Sequence, residues 1–175
     1  ELSFAFWLNS FILSMLILVL SANFFTLFLG WELIGLTSFF LINFWQTRRG
    51  TVKSSFKAFS FNLVSDVFLL AALVCFYHCA QTTDCDAFIY LVLWDGLGSD
   101  TTLNAGLMCL AVCASIKSVQ LVGHLWLPDS MEAPVPASAL IHSATLVSAG
   151  IYLICKFNTV FIVTGWSTSL ALLGS

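Results

Sequence analysis

Long runs of apolar residues alternate with short polar stretches along the whole chain. About 20 apolar residues in a helix cross the ~30 Å hydrocarbon core of a bilayer, at 1.5 Å of rise per residue. The runs here have that length, so the pattern predicts an all-α integral membrane protein with five transmembrane helices. The expected spans are at about 2–20, 24–45, 56–78, 103–131 and 134–155.

The fourth span is predicted to be discontinuous. Gly123 and Pro128 interrupt its apolar pattern a few residues after Lys117, and residues 124–131 are expected to form a short second segment. Helix-breaking residues are tolerated at membrane depth only where protein or a water-filled cavity surrounds them. A lysine just before such a break is therefore a candidate for an ion pathway.

The fifth span carries polar residues on one face. Pro134 and Pro136 are expected at its start, where a missing N–H costs little. In an α-helix, Ser138, His142 and Thr145 would then share a face, so His142 is either a core histidine bonded within this stripe or part of a pathway.

Two other spans also carry an acid among apolar residues. Asp66 shares its predicted helix face with Asn62 and Ser55. Gly35 lies three residues after Glu32 on the same face and leaves room for a neighbouring helix. Polar faces in such helices are expected to point into the bundle.

The polar stretches between spans differ in charge. Residues 46–57 hold four of the six basic residues and no acid, whereas residues 79–101, predicted to form a loop, hold acids only. By the positive-inside rule, the first stretch faces the matrix or cytoplasm and the second faces the opposite side. The acids of the second stretch are Asp84, Asp86, Asp95 and Asp100.

Composition excludes other classes of protein. The chain is 59% hydrophobic and only 9% charged, with a mean hydropathy of +0.98, whereas soluble domains carry about 25% charged residues. Six basic residues make no surface for nucleic acid. The first residue is not Met and the last stretch ends within an apolar run, so the sequence is expected to be a piece of a longer protein.

The six cysteines are expected to act as small apolar packing residues. The sequence has no C-x-x-C motif, and a disulfide between Cys79 and Cys85 is left open. No metal site is predicted, because His124, His142 and the cysteines lack ligand spacing.

Glu32, Asp66, Lys117 and His142 lie one each on four successive spans. An isolated ionisable group at the bilayer centre costs about 3 kcal/mol on insertion scales. Two interpretations follow: the charges hold the helices together as structural ion pairs, or they form a hydrated proton relay. A lysine beside a carboxylate in the membrane has the properties that reversible proton loading requires.

Two segments resemble a known family. Gly30–Trp45, G-W-E-L-I-G-L-T-S-F-F-L-I-N-F-W, and His124–Gly150, which contains H-L-W-L-P-D-S-M-E-A-P-V-P and A-L-I-H-S-A-T, are similar to subunit 5 of respiratory complex I, NADH:ubiquinone oxidoreductase. This is the largest of its antiporter-like, proton-translocating subunits. The resemblance covers nearly the whole chain.

The resemblance implies a role for each membrane ionisable residue. Glu32 matches the glutamate that pairs with the lysine of the broken helix, and Lys117 matches that lysine. His142 matches the histidine that passes protons along the membrane arm. Asp66 matches an acid that tunes or feeds the same half-channel, but the family usually has an arginine at the position of Leu63 and a glycine at that of Ser65.

The family's fold interleaves two inverted five-helix repeats. Residues 1–156 correspond to the first repeat, and residues 157–175 to a connection and the start of a further helix. Inverted repeats place the working site at their interface, so one repeat is expected to need the remainder of the subunit.

The resemblance implies a non-redox subunit of a proton-translocating NADH:ubiquinone reductase in the mitochondrial inner membrane, or in a bacterial plasma membrane. NADH, FMN, iron–sulfur clusters and ubiquinone are expected in other subunits, with no cofactor in this chain. Its expected partners are other membrane-arm subunits, especially the neighbouring antiporter-like one, the rest of subunit 5, and lipid. The alternatives are a subunit of a multisubunit Na+/H+ antiporter and a structural fragment without its own proton path.

Overall fold

The computed structural model describes residues 2–45, 47–94 and 100–166, except for the side chains of residues 121–123, 132 and 142–144. These residues form an all-helical bundle, whose one β-type contact is an isolated bridge between Asn23 and Asp84. The α-helices are α1 Leu2–Val19, α2 Phe24–Ile42, α3 Arg49–Ala80, α4 Cys85–Trp94, α5 Thr101–Lys117, α6 Val135–Ala139, α7 Leu146–Lys156 and α8 Asn158–Val163.

Three of the described helices, α1, α2 and α3, are long and apolar enough to cross a membrane by themselves. α5 is shorter, and two 3-10 turns, Leu121–Trp126 and Pro128–Glu132, follow it. α6, a π-helical turn at Leu140–Thr145, and α7 run on without a gap. The predicted all-α membrane architecture is confirmed, with Pro136 in the first turn of α6 as expected.

Contrary to the prediction, residues 46–57 do not all form a polar connection between two spans. α3 begins at Arg49, seven residues before the expected start. Long cationic side chains reach water from the first turns of a membrane helix while their aliphatic stems lie against apolar surface. Basic residues therefore mark the end of this membrane crossing without ending the helix.

The prediction of a loop over residues 79–101 is wrong for the middle of this stretch. Residues Cys85–Trp94 form α4, and Phe88 on this helix is fully buried. Its ring stacks on that of Phe76 with 4.7 Å between centroids. Phe24 and Phe157 complete the aromatic cluster, so α4 is packed onto the ends of three other elements. Asp95 lies outside the described residues.

At one end of the bundle, hydrogen bonds join the start of α2 to the connection after α3, and join α7 to the end of α1. The N–H of Phe24 donates to the carbonyl of Thr83 over 2.8 Å, and the Tyr152 hydroxyl donates to the carbonyl of Val19 over 2.8 Å. The Lys156 ammonium contacts the carbonyl of Ser21. This end also holds Asp84, and we call it the acidic end.

The opposite end holds the four basic residues Arg48, Arg49, Lys53 and Lys57, and we call it the basic end. The 3-10 turn Pro128–Glu132 packs against α3 there. α3 and α5 lie against each other along much of their length, with Cys79 near Thr102 at the acidic end and Ser65 near Cys113 further in. The two helices are therefore antiparallel, and α5 ends deep inside the bundle.

Candidate functional site

Lys117 is the last residue of α5 and is completely buried. Its Nζ atom lies 3.6 Å from Oδ1 of Asp66 on α3, and it donates a hydrogen bond of 3.0 Å to the main-chain carbonyl of Trp31 on α2. The same Nζ atom lies 4.1 Å from the centroid of the Trp31 ring. Three helices thus meet at one ammonium group.

Asp66 lies near the middle of the 32-residue α3 and is 5% exposed. Asn62 and Ser55 are buried on the same helix, so the predicted polar stripe of α3 does face the bundle. Gly35 of α2 lies against this stripe, since a Cβ placed on it would be 3.7 Å from that of Asn62. This distance is an ordinary van der Waals contact, so α2 packs beside the acid with room for a methyl group at this position.

Glu32 is not the direct partner of Lys117, although the family pattern implies that pairing. Among the described residues, the ion pair of Lys117 is with Asp66. Glu32 is half-buried and follows Trp31 on α2, close enough to act electrostatically on both Lys117 and Asp66. Because Trp31 presents its ring and carbonyl to Lys117, the next residue on the helix is turned away by about 100°. The Glu32 carboxylate therefore lies outside direct contact.

The helix break follows Lys117 directly, five residues earlier than the predicted break at Gly123. The N–H of Gln120 donates to the carbonyl of Ser115 over 2.8 Å, and that of Val119 to the carbonyl of Ile116 over 3.3 Å. These two bonds form a Schellman motif, in which the residue after the cap adopts a left-handed conformation. Glycine usually occupies that position, but here it is Val119 with a φ of 64°.

The segment after this break is 3-10 rather than the predicted α-helix. His124 lies in the first 3-10 turn, and Trp126 in the same turn donates its indole N–H to the carbonyl of Ile116 over 3.5 Å. This bond returns the chain to the end of α5. Main-chain and indole hydrogen bonds around Lys117 therefore fix the geometry of the helix break.

His142 lies in the π-helical turn Leu140–Thr145, and its side chain is outside the described residues. The π-turn adds a residue to each turn of helix, so the α-helical spacing that would place Ser138, His142 and Thr145 on one face does not hold there. The side-chain hydroxyl of Thr145 donates to the carbonyl of Leu140, five residues earlier, over 3.0 Å. The π-turn was missed because its sequence has no distinct pattern.

Several buried polar atoms near Lys117 have no hydrogen-bond partner among the described residues. They are Nε1 of Trp31, Oδ1 of Asn62, Oδ1 of Asp66 and Oγ of Ser118. A buried polar group without a partner costs about 1–3 kcal/mol. Such groups in a native protein are usually satisfied by ordered water or serve a functional role.

The structure also shows the state of the cysteines and the arrangement of other ligating side chains among the described residues. All six cysteines have free thiols, so Cys79 and Cys85 form no disulfide, and Cys79 Sγ lies 2.9 Å from the hydroxyl of Thr102 instead. The described residues contain no cluster of three or more metal-ligating side chains.

Sequence reasoning missed Trp31 as part of the site. It precedes Glu32 in the G-W-E motif, and a tryptophan in an apolar helix reads as an ordinary packing residue. Only the positions of α2 and α5 show that its ring covers the lysine.

Comparison with known proteins gives a consistent result. Residues 21–175 match the model of the family described as NADH:quinone oxidoreductase/Mrp antiporter, transmembrane. NADH-ubiquinone oxidoreductase chain 5 of Paramecium tetraurelia is 54% identical over 156 residues, covering 86% of this chain and 27% of that protein. NADH-quinone oxidoreductase subunit L of Buchnera aphidicola is 38% identical over 156 residues, covering 89% and 25%. The chain thus spans about a quarter of the length of these relatives.

Solved structures agree on the fold. A chain of the Mrp complex from Dietzia sp. DQ12-45-1b superimposes with a TM-score of 0.82 at 30% identity, covering 91% of this chain and 17% of that one. A chain of the archaeal membrane-bound sulfane sulfur reductase gives a TM-score of 0.81 at 21% identity, covering 93% and 33%, and supports the fold alone. The family match extends over most of the sequence, and the chain belongs to the NADH:quinone oxidoreductase/Mrp antiporter transmembrane family.

Proposed function

We propose that this chain is part of an antiporter-like subunit 5 of complex I and takes part in moving protons across the membrane. The observation that carries the proposal is the fully buried ammonium of Lys117, which lies 3.6 Å from the Asp66 carboxylate where α5 ends inside the bundle. Burying an ion pair costs several kcal/mol per ion before the mutual attraction is counted, and apolar replacements are often as stable. A charged side chain buried at membrane depth therefore favours a role in ion transport over a role in helix packing.

In this proposal Lys117 is the central proton-loading group and Asp66 is its counter-ion. Glu32 acts on both through the electrostatic field from the same turn of α2. His142 takes the proton onward, as the family motif A-L-I-H-S-A-T implies. Moving a carboxylate towards or away from Lys117 changes how tightly the lysine holds its proton, which is the basis of a relay.

The redox chemistry is proposed to lie elsewhere in the complex. NADH, FMN, the iron–sulfur clusters and ubiquinone would be bound by other subunits, and this chain would be a non-redox part of the NADH:ubiquinone reductase. Relatives named as chain 5 in Paramecium and subunit L in Buchnera support this assignment. The partners would be the rest of subunit 5 and the neighbouring antiporter-like subunit of the membrane arm.

The location would be the mitochondrial inner membrane, with the basic end on the matrix side and the acidic end on the intermembrane-space side. The four cations at the start of α3 support this orientation by the positive-inside rule. A membrane-impermeant maleimide tests it in mitochondria and inverted vesicles. Lys53→Cys is expected to be labelled from the matrix side only, and Asp86→Cys from the other side only. The reverse pattern would contradict the orientation.

The central experiment uses the intact complex in sealed vesicles carrying Lys117→Met. The ratio of protons pumped to electrons transferred is measured beside the rate of NADH oxidation and the amount of assembled complex. We expect assembly with coupled pumping lost or turnover blocked. Lys53→Met is the matched control, because Lys53 is solvent-exposed at the basic end, and it should pump normally. Unchanged pumping in an assembled Lys117→Met complex would make this region a structural scaffold.

A subunit of an Mrp-type Na+/H+ antiporter is the second candidate. The 30% identity and 0.82 TM-score to a chain of the Mrp complex from Dietzia favour it. Purification of the native protein separates the two, because a complex I subunit should co-purify with subunits that oxidise NADH. Sodium-dependent proton exchange in vesicles without any redox partner would favour the antiporter.

A further inference from the structure

Trp31 contacts Lys117 more closely than either acid of the proposed relay does. The main-chain carbonyl of Trp31 accepts the one hydrogen bond from Lys117 Nζ that is described, at 3.0 Å, and the centroid of the indole ring lies 4.1 Å from the same atom. Trp31 is itself 0% exposed. A cation within about 6 Å of a ring centroid is attracted by the negative face of the ring, and most strongly when water is excluded.

The contact between Lys117 and Asp66 is of a different kind. Its length of 3.6 Å exceeds the 2.7–2.9 Å that is typical of a charge-assisted hydrogen bond between an ammonium and a carboxylate. Oδ1 of Asp66 has no hydrogen-bond partner among the described residues. The carboxylate therefore supplies charge at a distance, while the position of the ammonium is fixed by Trp31.

We propose that Trp31 is a positioning residue for Lys117: its indole face and its main-chain carbonyl form an uncharged seat that holds the ammonium independently of the Asp66 carboxylate. This inference rests on the proposed function of Lys117 as the proton-loading group. It adds to that function a neutral partner whose interaction persists whichever protonation state Asp66 has. A relay needs such a partner, because a lysine held by its counter-ion alone would move whenever the counter-ion takes up a proton.

The place of Trp31 in the chain links the two acids of the site. Glu32 is the next residue on α2, so the turn that seats the ammonium also carries the more distant carboxylate. Nε1 of Trp31 and Oδ1 of Asp66 both lack a hydrogen-bond partner among the described residues, and the indole lies close enough to the Asp66 carboxylate to interact with it. A small shift of α2 would change the surroundings of Lys117 and of Asp66 together.

The test compares variants that keep or remove an aromatic ring, in the intact complex in sealed vesicles. Trp31→Phe keeps a ring face, whereas Trp31→Leu and Trp31→Met are apolar side chains without one, and all three keep the main-chain carbonyl. We expect both ringless variants to assemble but to pump roughly fivefold to thirtyfold more slowly, as loss of a desolvated cation–π contact implies. Trp31→Phe should restore pumping to within about threefold of the native rate.

Trp45→Leu is the matched control. It removes a half-exposed tryptophan whose ring lies 5.2 Å from the Arg48 guanidinium at the basic end, and it should leave the ratio of protons to electrons unchanged. Phe is also the largest of the three replacements, so the order of pumping rates alone does not separate a packing role from the seat. The seat predicts in addition that the pH dependence of pumping shifts to lower pH in both ringless variants, because the protonated lysine loses a stabilising contact, whereas a packing role predicts slower pumping with an unchanged pH dependence. Equal pumping in the Phe, Leu and Met variants, or failure of both ringless variants to assemble, would overturn the inference.

The outcome with Lys117→Met keeps the two proposals apart. Normal pumping by that variant would refute the role of Lys117 itself. The other informative result is loss of pumping in Lys117→Met with native pumping in Trp31→Leu and Trp31→Met. It would support the role of Lys117 and refute only the positioning role of Trp31.

Discussion

Nζ of Lys57 lies 2.6 Å from Oδ2 of Asp129, and this ion pair joins α3 to the 3-10 turn that follows the helix break. Both side chains are partly exposed, at 41% and 45%. The pair lines a groove of about 390 Å³ together with Gly50, Lys53 and Ser54. The segment after the break is therefore tied to the basic end by a contact that water reaches.

Breaking this pair should have a small effect. Exposed ion pairs contribute about 0–1 kcal/mol, so Lys57→Gln or Asp129→Asn is expected to lower the melting temperature of the purified complex by no more than a few degrees. Exchanging the two charges, with Lys57→Asp and Asp129→Lys together, should recover most of that loss. A large loss of assembled complex in either single variant would show that the pair holds the broken segment in place.

Gly150 of α7 packs tightly against the end of α5. A Cβ on Gly150 would lie 2.7 Å from the carbonyl oxygen of Ala114 and 3.0 Å from the N–H nitrogen of Ser118, and both are main-chain atoms that cannot rotate away. Gly150→Ala should therefore push α7 away from the Lys117 turn. Overpacking of this kind costs about 1–3 kcal/mol, measurable as a lower melting temperature.

Gly35→Ala is the matched control for that variant. Its nearest neighbour would be the Cβ of Asn62 at 3.7 Å, an ordinary van der Waals contact. We expect Gly35→Ala to assemble and melt like the native protein. Equal destabilisation by both substitutions would contradict the difference in packing between the two sites.

Val119 carries backbone strain at the break. A β-branched residue rarely adopts a positive φ, and such strain costs about 1–3 kcal/mol. Val119→Ala keeps only the Cβ and Val119→Gly removes it as well, so only the glycine variant accepts a φ of 64° without cost. We expect the glycine variant to be more stable than the alanine variant by about 1 kcal/mol. Thermal unfolding of the two variants measures the difference, and equal stability would mean that the break is unstrained.

The sequence predicted the elements that depend on apolar run length. α1 and α2 begin within a residue of the expected positions, because an uncharged apolar run followed by a polar pair leaves little choice of boundary. The positions of charged residues predicted helix boundaries less well than apolar run length did. Arg49 and Asp86 each lie in the first turn of a helix, since charged residues at a membrane interface remain in water while the backbone stays helical.

The ionisable residues of the candidate site could be found from sequence, but Trp31 and the contacts among these residues could not. Lys117, Asp66 and Glu32 stand out because ionisable residues are rare at membrane depth. The choice of Asp66 over Glu32 as direct partner depends on the register between α3 and α5, which no local pattern encodes. The break was misplaced for a similar reason, since Val119 stands where a Schellman motif normally has glycine, whereas Gly123 lies within a 3-10 turn.

Asp66→Asn tests whether Lys117 needs a carboxylate beside it. The amide keeps the size of the side chain but leaves the ammonium without its direct counter-ion, and removing one partner of a buried pair typically costs about 3–5 kcal/mol. We expect coupled proton pumping by the assembled complex to fall by about tenfold or more, with partial recovery in Asp66→Glu. Asp86→Asn is the control, because Asp86 is exposed at the acidic end. Native pumping in Asp66→Asn would mean that the ring and carbonyl of Trp31 suffice to hold the charge, and that the carboxylate takes no part in proton transfer.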